Sequence, residues 1–383
     1  MHDRAALGAA DVPDDVLAGM VADLLGVDAV DLRSSVAVEF AYELPAITTA
    51  GRYSVSGTAV AAGESRSFAL FVKHVHEWSR SPFFASVPEE MREMARAAVP
   101  WRTEAEVYAS DLAGHLPDGL EMPRTLGVHE IDESSYAVWL EVVPTYDAAW
   151  DLARYRRAAH LMGRFAASGH VREVAASVSH PFTIRNYAEG RFKNQVLPML
   201  QDDGIWQHPV VAGAFADLRD RMRSAAEGVD AVTDELLAMP HLAGHGDACP
   251  NNLLLTAGHD GFTLIDFGFF TLLPVGFDLG QLLVGDVQIG RRDATDLAER
   301  DATMLAAYRD GLAAEGVDVD PATLRRAHAL HVALFTGLSA LPFELLELEP
   351  TPEVHRVAAD RAAITRFSLD MLDKTARSGE QLG

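Results

Sequence analysis

The sequence predicts an α+β fold of two lobes, a small β-rich N-terminal lobe and a large, mostly helical C-terminal lobe. Up to about residue 140, short apolar runs alternate with turn residues, which is typical of β-strands and hairpins. From about residue 145, apolar residues recur at helical spacing, and residues 286–383 follow this pattern almost throughout. With 383 residues, 49% of them hydrophobic, the chain is long enough for two lobes.

The first predicted element is an amphipathic helix within residues 11–26, DVPDDVLAGMVADLLG. Acidic residues at its start and a glycine at its end are the usual boundary signals of a helix. We therefore assign residues 1–35 to an N-terminal helical extension ahead of the first strand.

Two strands are predicted next, around residues 36–44 and 52–60, on either side of the turn PAITTAG. Main-chain amides in that turn, at Thr48, Thr49 and Gly51, are candidates for holding phosphate. An ordinary hairpin loop fits the same residues equally well.

A lysine within a strand is the next informative feature, because the chain has few lysines. Lys73 lies in the apolar run SFALFVKHV, where burial of an ammonium group is costly unless a negative group meets it. The helical segment 101–112 that follows offers Glu104 and Glu106, which face different sides, so only one of them can pair with Lys73. The alternative is a lysine on an edge strand with its ammonium in solvent.

A further hairpin is predicted over residues 122–143, with turn residues at Asp132 to Ser135. Its second strand ends in WLEVV. Residues 155–167 then show the apolar spacing of a core helix.

The segment HGDACPNN and the later segment LIDFG carry the chemistry. They place Asp247 and Asn252 in one loop and Asp266 at the end of a β-type run, with a hairpin signal between them that turns at Asp260-Gly261. Phosphoryl transfer uses one carboxylate to receive the proton of the attacking hydroxyl. A carboxamide and a second carboxylate hold the magnesium ion at the nucleotide phosphates. The sequence therefore predicts a kinase active site.

These two segments resemble the catalytic and metal-binding loops of the protein-kinase-like superfamily, in its aminoglycoside phosphotransferase and choline kinase branch. That branch usually has HGD where protein kinases have HRD, so Gly246 favours the small-molecule kinases. The resemblance implies a bilobal protein-kinase-like fold, with an N-lobe over residues 36–143 and a C-lobe over residues 144–383.

The resemblance also implies a role for each loop residue. Asp247 corresponds to the catalytic base, and Asn252 and Asp266 correspond to the metal ligands. His245 and Asp278, the latter in GFDLGQLL, correspond to residues that support the catalytic loop.

The nucleotide-binding residues follow from the same resemblance. Segment 101–112 is similar to the family's R-E-x-x-x-Y stretch, which assigns Glu104 as the partner of Lys73 at the nucleotide phosphates. Main-chain groups near Glu141 to Val143 correspond to the hinge that meets the adenine edge. The implied cofactors are ATP or GTP and Mg²⁺.

Composition restricts the partners. The net charge of −24 argues against a nucleic-acid partner and would attract a cationic acceptor, although a generally acidic surface explains the charge equally well. One cysteine excludes a disulfide framework, and the sequence shows neither a targeting segment nor an apolar stretch of bilayer length. We therefore expect a soluble cytoplasmic protein with no membrane partner.

The acceptor site is the least determined part of the prediction. Residues 185–206 and 341–350 are candidates for its lining, and Glu344, Glu347 and Glu349 are candidates for holding a cationic acceptor, with a solvated helix end as the alternative.

Three functions remain open from the sequence. The first is a kinase for an aminoglycoside-like or other small-molecule hydroxyl. The second is a Ser/Thr kinase that acts on a precursor peptide, and the third is a non-catalytic pseudokinase. The sequence does not select between ATP and GTP or predict an oligomeric state.

Overall fold

The structure is a computed structural model that describes residues 2–40, 46–256 and 260–380. Its strands, in chain order, are β1 (His2–Asp3), β2 (Asp31–Glu39), β3 (Thr49–Ala61), β4 (Glu64–His76), β5 (Leu120–Glu121), β6 (Thr125–Asp132), β7 (Ser135–Glu141), β8 (His241–Gly244), β9 (Leu253–Leu254), β10 (Phe262–Leu264) and β11 (Thr271–Pro274).

The α-helices are α1 (Asp14–Leu25), α2 (Arg92–Ala98), α3 (Thr103–Ala109), α4 (Leu152–Ala167), α5 (Gly169–Ser177), α6 (Ile184–Tyr187), α7 (Leu197–Gln201), α8 (Asp203–Gln207), α9 (Pro209–Phe215), α10 (Arg219–Glu227), α11 (Val229–Ala238), α12 (Asp278–Gln288), α13 (Leu297–Ala314), α14 (Pro321–Val332) and α15 (Pro352–Glu380). Two π-helical segments, Ala188–Val196 and Ala333–Gly337, continue α6 and α14. A β-sheet in the N-terminal part and a helical C-terminal part confirm the predicted α+β class.

The large sheet has the strand order β1-β2-β3-β4-β7-β6, with β1 parallel to β2 and all other neighbours antiparallel. Side chains alternate between its faces, as strand geometry requires. Leu70 and Val72 of β4 share one hydrophobic cluster with Leu17 and Val21 of α1. The opposite face of β4 carries Lys73.

The N-terminal segment is part of this sheet assembly. His2 and Asp3 pair with Ser35 and Val36, and β2 begins at Asp31, within the range predicted as a helical extension. The predicted helix itself is present as α1, and Gly26 ends it with a left-handed backbone. Whether residues 1–35 and 36–143 behave as separate units stays a prediction.

Two small sheets position the loops that carry the chemistry. Strand β10 pairs with β9 and, in parallel, with β5, while β11 pairs with β8. The loop after β8 therefore leads into β9, and the loop after β10 leads into β11. Thr271 lies opposite Gly244 across the β8–β11 pair, which brings the two loops to the same end of these sheets. Part of the predicted β9–β10 turn, residues 257–259, lies outside the described residues.

No helix in the described ranges is both long and apolar enough to cross a bilayer. The segment 327–346 instead contributes buried residues to the helical core, among them Leu330, Leu334 and Leu341.

Candidate active site

A cleft of about 300 Å³ opens between the large sheet and the two loops. The described residues that line it are Phe40, Arg52, Ser54, Ala69, Phe71, Lys73, Glu104, Tyr108, Pro123, Leu140, Glu141, Val142, Val143, Leu254, Ile265 and Asp266. A second cavity of about 400 Å³ lies among α13, α14 and α15 and contains none of the predicted site residues.

Lys73 is the buried cation of the cleft. Its Nζ lies 2.5 Å from Oε2 of Glu104 on α3 and 2.9 Å from Oδ1 of Asp266. Strand β4 lies between β3 and β7, so Lys73 is not on an edge strand. Of the two glutamates of α3, Glu106 turns away and accepts a hydrogen bond from the Ser179 amide.

Charge pairing keeps Lys73 and Asp266 ionised. Burial alone would lower the pKa of Lys73, but Asp266 and Glu104 together raise it above its ordinary value. Burial alone would raise the pKa of Asp266, but the Lys73 ammonium lowers it below its ordinary value. Lys73 therefore stays a cation, and Asp266 stays an anion, at neutral pH.

The catalytic loop depends on a glycine at position 246. Gly246 has φ of 84°, and a Cβ atom there would lie 2.4 Å from the carbonyl oxygen of Phe269. Any larger side chain is excluded by both backbone conformation and space. The chain therefore has HGD here because the Asp266 loop packs directly against this residue.

Asp266 itself has a left-handed backbone, with φ of 63°. Aspartate tolerates this conformation better than most residues, but the conformation is strained and needs surrounding contacts to hold it. The bond from Lys73 is one such contact. The conformation places the carboxylate at the cleft, where its side chain is 41% exposed.

His245 and Asp278 support the catalytic loop through hydrogen bonds, and both residues are buried. The Asp278 carboxylate accepts the amides of His245 and Gly246, at 2.9 and 2.8 Å. Burial lowers the pKa of His245 to about 4, so its ring is neutral. Its Nε2 lies 3.0 Å from the Ile265 carbonyl and so carries the proton, while Nδ1 accepts the Asp247 amide at 3.3 Å. The ring therefore links the two loops.

Asp247 and Asn252 meet within the first loop. The Asn252 amide nitrogen donates to the Asp247 carbonyl at 2.8 Å and to Oδ2 of Asp247 at 3.1 Å. Burial raises the pKa of Asp247 to about 7, and the negative charge of Asp266 adds to this effect. The Ile265 amide donates to the Asn252 carbonyl, so the second loop is tied to the first here as well.

At the proposed hinge, Glu141 and Val143 both line the cleft. The Glu141 amide already donates to the Arg124 carbonyl, and the Glu141 side chain accepts the Arg124 amide. The Glu141 amide is therefore engaged within the protein. The amides of the other two predicted hinge residues, 142 and 143, donate none of the described backbone hydrogen bonds.

The turn predicted to hold phosphate consists of Thr48, Thr49 and Gly51. These residues are not among the described residues that line the cleft. Thr49 and Gly51 pair with β4, and the Thr48 carbonyl accepts the His76 amide. The predicted strand residues 41–44 lie outside the described residues.

The predicted acceptor glutamates are also not among the described residues that line the cleft. Glu344 forms an ion pair with Arg361, so its charge is already compensated. Glu347 and Glu349 are exposed. Their role toward an acceptor stays a prediction.

Several cleft residues were missed by sequence reasoning. Phe71 lies two residues before Lys73 and so shares its face of β4. Arg52 and Ser54 of β3 are the cross-strand partners of Lys73 and Phe71. Strand alternation would have found Phe71 from the sequence, whereas Arg52 and Ser54 also require the strand register.

This fold and this cleft define a kinase-like phosphotransferase. The model of the phosphotransferase enzyme family (APH) matches residues 69–316, which is more than half of the chain. The chain belongs to this family and is an enzyme of the kinase type.

The chain is also similar to solved structures. Amicoumacin kinase hAmiN, in complex with AMP-PNP, Ca²⁺ and Ami, is similar at 13% identity and a TM-score of 0.51, over 88% of each chain. An aminoglycoside phosphotransferase from Alicyclobacillus acidocaldarius is similar at 13% identity and a TM-score of 0.49, over 90% of this chain and 92% of its own. A choline/ethanolamine kinase family protein from Mesorhizobium loti is similar at 15% identity and a TM-score of 0.44, over 88% and 92%. No curated protein sequence matches the chain.

Proposed function

We propose that the protein transfers the γ-phosphate of ATP, with Mg²⁺, to a hydroxyl group of a small-molecule acceptor. The observation that carries this proposal is the linked cluster of Lys73, Asp266, Asp247 and Asn252, in which Lys73 and Asp266 line the cleft and Asn252 bonds Asp247 in the adjoining loop. Lys73 contacts Asp266 directly, and Asp266 acts electrostatically on Asp247. Membership of the phosphotransferase family supports the reaction class.

The residues present fit a magnesium ion. Mg²⁺ prefers hard oxygen ligands, and Asp266 and Asn252 supply a carboxylate and a carboxamide oxygen. Because Asn252 uses its amide nitrogen toward Asp247, its oxygen is the atom left for a cation. When bound there, the ion would neutralise charge on the nucleotide phosphates.

The chain's own groups have separate tasks in this scheme. The Lys73 ammonium, held by Glu104, positions the phosphates. Asp247, held by Asn252 within the catalytic loop, accepts the proton of the acceptor hydroxyl. Phe71, Leu140 and Ile265 give the cleft apolar walls for the base of the nucleotide.

On the acceptor side, aromatic rings lie beside the catalytic loop. Phe269 follows Asp266 by three residues and is 40% exposed, and Phe182 meets its ring edge to face at 5.5 Å. Such rings offer a stacking surface to an acceptor that itself contains rings. This supports a ring-containing natural product as the acceptor more than a short amino alcohol.

The test is ATP consumption in the presence of aminoglycosides, nucleosides, amino alcohols and a Ser-rich peptide. Consumption with a small molecule supports the proposal. Consumption with the peptide alone would indicate a Ser/Thr kinase, and nucleotide binding without consumption would indicate a pseudokinase.

Replacing the proposed base is the matching mutational test. Asp247→Asn should lower turnover by about 10²- to 10⁴-fold while nucleotide affinity persists, because only proton transfer is lost. Asp260→Asn, at the exposed turn between β9 and β10, is the control and should leave turnover unchanged. Equal turnover of Asp247→Asn and the wild type would remove Asp247 from the mechanism.

A further inference from the structure

A second cluster of metal-ligand side chains lies outside the cleft, at the end of α3. Asp111 and His115 belong to the turn that follows α3, and His170 lies in the first turn of α5. The Nε2 atom of His170 is 2.9 Å from Oδ1 of Asp111, and Nε2 of His115 is 3.6 Å from Oδ2 of Asp111. The Asp111 carboxylate thus contacts both imidazoles, whose ring centroids lie 3.7 Å apart.

The geometry of this cluster approaches that of a metal site. One ligand atom from each of the three side chains lies within 4.8 Å of the other two. Ligand atoms around a tetrahedral ion at zinc distances are about 3.4 Å apart, so His170 would move slightly away from its 2.9 Å contact with Asp111, while the 3.6 Å contact of His115 is already close to this spacing. Their exposed fractions, 68% for Asp111, 49% for His115 and 29% for His170, leave room for that movement.

A fourth side chain has the position of an orienting group. Oε2 of Glu173 lies 3.8 Å from Nδ1 of His170, the ring nitrogen that does not face Asp111. Metal-bound histidines commonly donate their second N–H to a carboxylate, which fixes the tautomer and the direction of the ring. Glu173 can do this for His170 after a small rotamer change.

We propose that Asp111, His115 and His170 bind a divalent transition-metal ion, with water completing the coordination and Glu173 orienting His170. Two imidazoles and one carboxylate are a donor set suited to Zn²⁺ and its neighbours rather than to Mg²⁺ or Ca²⁺. The site shares no residue with the cleft, so the proposal is independent of the proposed phosphotransfer.

The position of the site gives it a structural consequence. Asp111 and His115 follow directly on α3, the helix that carries Glu104. His170 belongs to α5, which packs against β8 and β11, the strands that precede and follow the two catalytic loops. An ion bound there ties the end of the Glu104 helix to the scaffold of the catalytic loop and restrains movement of α3.

The first experiment measures Zn²⁺ binding by competition with a chromophoric chelator, in excess Mg²⁺ so that sites at Asp266 and Asn252 are occupied. The wild type should bind one equivalent more at micromolar Zn²⁺ than the double variant His115→Ala/His170→Ala. His355→Ala, which removes an exposed histidine of α15, is the control and should bind as the wild type does. Equal stoichiometry and affinity in the wild type and the double variant would overturn the proposal.

The second experiment tests the link to α3 by hydrogen exchange. Zn²⁺ should slow exchange of the amides of residues 103–110 in the wild type and leave them unchanged in the double variant. Zinc that binds at the predicted stoichiometry without slowing these amides would overturn the proposed restraint of α3.

Discussion

At the residue scale, the catalytic loop shows why one small residue is required at a fixed point. Gly246 combines a left-handed backbone with contact to the Phe269 carbonyl. Gly316 has a similar φ, 78°, but nothing within 4 Å of the position of a Cβ atom. Comparing substitutions at these two glycines therefore distinguishes the cost of a left-handed backbone from the cost of a steric clash.

We predict that Gly246→Ala destabilises the protein more than Gly316→Ala. Both variants carry left-handed strain of about 1–2 kcal/mol, while Gly246→Ala adds a clash of about 1–3 kcal/mol. Urea unfolding measures the difference. Equal losses of unfolding free energy in the two variants would show that the backbone at Phe269 can move away from the added methyl group without destabilising the protein.

The two glutamates of α3 provide a second matched pair. Glu104→Gln leaves Lys73 with Asp266 as its only carboxylate among the described contacts, so the ammonium should shift from its position at the phosphates. We expect kcat/KM to fall by about 100-fold, a typical effect of misplacing a catalytic contact. Glu106→Gln, which contacts Ser179, should stay near the wild-type value. Comparable losses in the two variants would contradict the assignment of Glu104.

At the element scale, α12 and α14 pack through an imidazole ring. The ring of His331 on α14 lies 4.0 Å from that of Phe277 and 4.9 Å from that of Phe335, measured between centroids. A Cβ atom on Gly280 of α12 would come within 2.3 Å of this ring. The two helices are therefore in close contact through a polar side chain. The Nδ1 atom of His331 is buried and has no hydrogen-bond partner among the described residues.

This packing predicts a pH effect on stability. Burial lowers the pKa of His331 well below its ordinary value of 6.5, so the unfolded chain takes up a proton there that the folded chain does not. The contribution of His331 to the free energy of unfolding should therefore fall as the pH drops below about 6.5, by up to about 2 kcal/mol near pH 5. His331→Leu should lose less than the wild type over this range, and His355→Leu should lose as much as the wild type. Parallel losses in the wild type and His331→Leu would show that His331 is not the group involved.

At the scale of the whole molecule, the sequence predicted elements better than their pairing. Strands β3, β4, β6 and β7 and the helices α1, α3 and α4 lie close to their predicted positions, because apolar periodicity is a local signal. The parallel pairing of β5 with β10 joins residues about 140 positions apart, and no local pattern encodes it. The two-residue strand β1 is too short for any periodicity to show.

The residues of the candidate site also divide into those that a local sequence pattern predicts and those that depend on the fold. Residues in short motifs, such as Asp247, Asn252 and Asp266, were predicted as site residues because their spacing within a loop carries chemical meaning. Arg52 and Tyr108 line the cleft through strand register and helix orientation, which only the folded chain defines. The His115–His170 contact joins the turn after α3 to α5 in the same way and has no motif of its own.

Asp266 and its neighbours are proposed to bind a magnesium–nucleotide complex. Calorimetric titration of AMP-PNP with and without Mg²⁺ tests this proposal most directly in the wild type and in Asp266→Asn, since asparagine tolerates the left-handed backbone but lacks the charge. We predict that Mg²⁺ strengthens AMP-PNP binding to the wild type and has no such effect in Asp266→Asn. An equal magnesium effect in both proteins would contradict the proposed role of Asp266 as a metal ligand.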